Sequence, residues 1–70
     1  MIGVPEYQAR VIAEKAELDE RISKLGAFLD GEVFKTLDIE DRALMMAQLT
    51  AMNAYSYTLG GRIERFNKTT

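Results

Sequence analysis

The sequence predicts an all-α fold, a long antiparallel helical hairpin with a short connecting helix, and three observations carry that prediction. Apolar residues recur at helical spacing through two long stretches. The single proline, Pro5, stands at the start of the first stretch and not inside either. Between the two stretches lie a turn signal, Asp30-Gly31, and a capping acid, Asp38.

The first helix is expected over about residues 5–29. Pro5 suits a first turn because its missing N–H would be unpaired there, and Glu6 adds a negative charge near the positive end of the helix dipole. Val11, Leu18, Ile22, Leu25 and Leu29 share one face. Glu17–Arg21 and Glu20–Lys24 stand in the favoured acid-before-base order on the polar remainder. A short helical segment over residues 32–37 follows, in which Val33, Phe34 and Leu37 are spaced for one turn and Phe34 is expected to plug the end of the hairpin.

The second long helix is expected over about residues 39–67. The Asp38 carboxylate can accept from the N–H of Glu40 or Asp41. Met45, Leu49, Met52, Leu59, Ile63 and Phe66 form its main stripe, flanked by Leu44, Gln48, Tyr55 and Ser56. Met46, Ala47, Ala51, Ala54 and Tyr57 lie beyond that stripe. Two helices cover only one side of each other, so this additional face predicts assembly into a helical homo-oligomer.

Size points the same way. The 70 residues make one domain over residues 1–70, and at that length a single core supplies roughly 3–5 kcal/mol. With no Cys and no His, disulfides and the usual metal ligands are unavailable as supports, and association remains. Nine Lys and Arg against eleven Asp and Glu give a net charge of −2 with the signs mixed, which argues against a DNA or RNA polymer as partner. Apolar runs are far shorter than the ~20 residues that span a bilayer, and the N-terminus carries no signal-type apolar region, so no membrane partner and a cytoplasmic location are expected.

Few residues invite chemistry. Without His, Cys or a Gly-rich phosphate loop, neither an enzyme nor a cofactor is expected. Gly60-Gly61 interrupts a strong helix, either ending it or admitting a close neighbour; the stripe stays in phase across the pair, which favours a continuous helix with close packing. Arg62 and Arg65, followed by Asn67 and Lys68, form the densest cationic cluster. Their forked donors match phosphodiester oxygens, but they also suit the negative end of the helix while remaining solvated. Tyr7 and Arg10 occupy the first turns of helix one, where Tyr could stack on a base and Arg pair with a phosphate, or Tyr could serve an interface. Lys24 reads most simply as the partner of Glu20.

The order of segments is nonetheless specific: LDERISKLGAFL, then EVFKTL, then the acidic cap DIED, then ALMMAQLTAMNAYSYTLGGRI. Within it stand RI-x-x-L, F-x-x-L and Q-x-x-x-M-x-x-Y-x-x-x-L-x-x-R-I. This pattern resembles the helical hairpin domain of the phage anti-CBASS and anti-Thoeris cyclic-nucleotide sponges, over about residues 5–66. The resemblance implies a non-enzymatic protein of the host bacterial cytoplasm that sequesters the cyclic oligonucleotide messengers of antiphage defence. It implies a hexamer, with cyclic dinucleotides held between the N-terminal parts of paired subunits and cyclic trinucleotides where three subunits meet. Tyr7 and Lys24, with Arg10 and Ser23 nearby, are the residues it suggests for the first site, and Arg62 assisted by Arg65 for the second. The competing expectation is a small structural or protein-interaction module that docks a partner helix on the second face of helix two.

Overall fold

The structure, a computed structural model, describes residues 5–68, with side-chain surroundings through Phe66. The side chains of Asn67 and Lys68, part of the cationic cluster read from the sequence, lie outside the described set, as do residues 1–4 and 69–70. Three helices follow in order, α1 (Glu6–Leu29), α2 (Glu32–Thr36) and α3 (Ile39–Lys68), and there is no strand among the described residues. At about 1.5 Å per residue α1 is about 36 Å long and α3 about 45 Å. They run antiparallel, as the cross-helix contacts of Tyr7 with Phe66 and of Asp19 with Ser56 require.

Each boundary has a local cause. Pro5 precedes α1, and its carbonyl accepts from the N–H groups of Gln8 and Ala9 at 3.0 Å each. Asp30 ends the helix in right-handed helical geometry, and Gly31 is extended, so the stop uses no left-handed glycine. Asp38 caps α3 through a 3.1 Å bond that its carboxylate accepts from the N–H of Glu40. α3 passes through Gly60-Gly61 without interruption. A side chain at Gly60 would press on the Lys15 stem, its Cβ 3.2 Å from Lys15 Cε, whereas one at Gly61 would meet nothing within 4 Å. The close-packing expectation therefore holds for the first glycine only.

Val11, Leu18 and Leu59 are the buried apolar core, and Ile22, Met52, Ile63 and Phe66 pack against it half-buried. Phe34 closes the hairpin as expected, meeting Phe28 edge to face at 6.5 Å between ring centroids. Two sequence expectations need correction. Leu44, assigned to the flank of the main stripe, is 69% exposed because it lies about 100° around α3 from Met45, which is half-buried at the same level of the helix. Glu17 and Arg21 form no ion pair, although Glu20 and Lys24 do at 3.6 Å.

The outline is a rod. The described residues extend 54 × 18 × 14 Å with a radius of gyration of 16.1 Å, against roughly 11 Å for a compact chain of this length. Ile39, Leu44, Met46, Val33 and Tyr57 all remain more than half exposed.

Candidate functional site at the open end of the hairpin

The two flanks of the helix pair differ in chemistry. On one, a polar seam crosses between the helices. Lys15 Nζ donates to Asp19 Oδ2 at 2.7 Å, and the hydroxyl of buried Ser56 donates to Asp19 Oδ1 at 2.5 Å. Those two bonds, the one from Lys15 first, hold the Asp19 carboxyl below the ordinary carboxylate range. Lys15 and Ser56 also line an open groove of ≈ 580 Å³ with Tyr57, Thr58, Gly60, Gly61 and Glu64. Away from that groove, and within reach of the Arg62 charge, the Tyr55 hydroxyl donates across the helices to the Glu14 carboxylate. That bond raises the Tyr55 phenol above its ordinary range, with burial and the charge of Glu14 adding to the effect and Arg62 opposing it.

The open end brings together residues that lie far apart in sequence. Antiparallel packing sets the start of α1 beside the last turns of α3, so Tyr7, Arg62, Arg65 and Phe66 line one cavity of ≈ 260 Å³. Tyr7 is 57% exposed and meets Phe66 with ring centroids 5.9 Å apart and planes inclined at 70°. Arg62 and Arg65 are exposed and form no ion pair among the described residues. A flat ring beside two guanidiniums without carboxylate partners suits an anion that also carries an aromatic group.

The sequence-predicted residues thus separate into two sets. Tyr7, Arg62 and Arg65, expected in two different sites, share one cavity within a protomer. Arg10 lies on the exposed face of α1 one turn from Tyr7, paired with Glu6 at 2.9 Å. Ser23 and Lys24 are exposed on the same helix, about 25 Å along its axis from Tyr7. They join no cavity with it inside one chain. Gly60-Gly61 and Arg62, read together from the sequence, are divided between the two flanks, the glycines in the groove and the arginine in the end cavity. Phe66 was legible as a core residue but not as a lining one. The seam residues Lys15, Asp19 and Glu14 gave no signal of their own.

Comparison with known proteins agrees with this layout. No solved structure matches the chain. A 7.5 kDa protein from the denB-rIIB intergenic region of Enterobacteria phage T4 is 35% identical over 60 residues, which cover 86% of this chain and 94% of that one. The Sequestin family profile matches residues 5–65, a span that contains all of α1, α3 as far as Arg65, the polar seam and three of the four residues lining the end cavity. On a match of that extent the chain belongs to the Sequestin family, the phage sponge group that its segment order resembles.

Proposed function

We propose that the protein is a non-enzymatic sponge of the host bacterial cytoplasm, binding cyclic oligonucleotide messengers so that the CBASS effector is not activated. The observation that carries this reading is the end cavity, where an exposed tyrosine ring and two guanidiniums with no ion pair among the described residues converge in a member of the Sequestin family. Each nucleotide of a cyclic messenger offers one phosphodiester charge and one stacking base. Tyr7 answers the base and Arg62 and Arg65 the phosphate.

A cavity of ≈ 260 Å³ lies just below the usual range for small-molecule sites, about 300–1,000 Å³. It has room for about one nucleotide, so a cyclic dinucleotide needs a second copy to complete its site. Lys24, with Ser23 beside it, is the cation that a two-fold partner would supply, and Arg10 extends the same face of α1. Cyclic trinucleotides are the ligands for a three-fold meeting of Arg62 and Arg65. The exposed apolar side chains of α3, Leu44, Met46 and Tyr57 among them, support the homo-oligomer this requires, and a hexamer satisfies both symmetries at once.

Isothermal calorimetry against cyclic di-AMP, cyclic di-GMP, 3′,3′-cyclic GMP-AMP and cyclic tri-AMP tests the reading. Saturable binding of at least one, with intact ligand recovered after heat denaturation, is the expected result. No heat from any of the four overturns it. A stable protein partner from infected cells, with no nucleotide released on denaturation, would instead favour a protein-docking role for the exposed α3 face.

A further inference from the structure

The first turn of α1 is weakly anchored. Pro5 precedes it without any side-chain capping bond, and Tyr7, its second residue, is more than half exposed. Within its own turn the ring has an exposed 3.3 Å bond that its hydroxyl accepts from Gln8 Nε2, and a ring held only by so exposed a contact explores several rotamers unless a group from another element restrains it. Phe66 is that group. It comes from the opposite helix, its ring meets Tyr7 edge to face, and it packs against the Val11, Leu18 and Leu59 core. The Tyr7 ring is thereby tied to the interior of the hairpin across this aromatic contact.

We infer that Phe66 is a positioning residue for the ligand site. It holds the Tyr7 ring in one orientation beside Arg62 and Arg65, within the cavity that all four line. An edge-to-face pair leaves at least one face of each ring uncovered, so Tyr7 keeps a surface for a nucleobase while its position is fixed. Phe66 brings no charge and no hydrogen bond to a ligand. Its contribution is to have ordered the platform before the ligand arrives, which reduces the ordering cost of binding.

This inference rests on the nucleotide-binding reading, and the test separates the two. The Tyr7 ring resonances of the ligand-free protein are recorded by NMR for the wild type, Phe66→Leu and Phe66→Tyr. Dissociation constants for the cyclic dinucleotide that the wild type binds best are measured for the same three proteins, for Tyr7→Leu and for the Tyr7→Leu/Phe66→Leu double variant. Phe66→Leu is expected to shift and average the Tyr7 resonances and to weaken binding about three- to ten-fold, with an unchanged number of sites. Phe66→Tyr, which keeps an aromatic edge, restores both to near the wild-type values. On the Tyr7→Leu background the second substitution costs nothing further, because the ring it positions is gone. Unchanged Tyr7 resonances in Phe66→Leu, or an equal loss with and without Tyr7, would overturn the inference. A wild type that binds no member of the panel would overturn the functional reading, and the ligand-free spectra would still decide whether Phe66 orders Tyr7.

Discussion

The two ends of the hairpin carry the same contact in different surroundings. At the closed end Phe28 meets Phe34 edge to face at 6.5 Å, and at the open end Tyr7 meets Phe66 in the same manner at 5.9 Å. Beside the first pair the local cation, Lys35, is answered by Glu32 at 3.4 Å. Beside the second, Arg62 and Arg65 form no ion pair among the described residues. The ring pair by itself only joins two helices. The two guanidiniums next to it are what mark the open end as the candidate site, and the hydroxyl of Tyr7 keeps that more exposed ring tolerant of water.

Reversing the open-end charges is the strongest way to break this contrast. Arg62→Glu combined with Arg65→Glu removes two charge-assisted hydrogen bonds of ~1.5–3 kcal/mol each. Calorimetry should register a loss of affinity for cyclic nucleotides of roughly 100-fold or more, with a thermal midpoint close to the wild type because both side chains are exposed. Lys35→Glu at the closed end is the matching control, and a comparable loss there would erase the distinction between the ends.

Removing the closed-end ring has the opposite profile. Phe34 is half-buried, so Phe34→Ala should destabilise the protein by roughly 2 kcal/mol, about half the cost of a fully buried phenylalanine. Urea unfolding measures this, and affinity per folded protomer should stay within about two-fold, since ligand sites draw on the groups that line them. A variant that loses binding while remaining folded would mean that the closed end also recognises the ligand.

The smallest expected effect belongs to the seam between the ends. Asp19 has a depressed folded-state pKa, so its contribution to stability is complete above the ordinary carboxylate value of about 4. It is lost as the pH falls through the folded value. The urea midpoint should therefore decline on acidification from about pH 5 to about pH 3, and Asp19→Asn should flatten part of that decline. An identical pH profile in the variant would show that the Lys15–Asp19–Ser56 bonds contribute nothing to folding.

The sequence made the helices legible because their signals are local. Asp38 capping, the Phe34 plug and the in-phase stripe through Gly60-Gly61 each depend on residues a few positions apart, and each is present. What escaped depends on how the two helices align along each other, and periodicity does not contain that. Leu44 stands next to the stripe in sequence, but the contact that half-buries Met45 at the same level does not reach around α3 to it. Asp19 and Glu14 read as ordinary surface acids, and only the pairing of α1 with α3 sets them against Ser56 and Tyr55. The site was half legible for the same reason. Tyr7 and Arg62 stand out as ligand candidates only through the family resemblance, while their meeting in one cavity follows from the antiparallel alignment. Phe66 was hidden by its apolar character, which assigned it to the stripe and gave no hint of the ring it faces.

A rod two helices thick has very little inside. With three apolar residues buried among those described and most others touching solvent on some side, packing within one chain constrains only a short list of positions, and away from the candidate site and the exposed apolar face the rest answer to helix propensity and solubility. A gene for such a protein can exchange most of its surface letters without losing its shape. That freedom fits the relation to the phage T4 protein, which keeps 35% of the residues across 94% of its length.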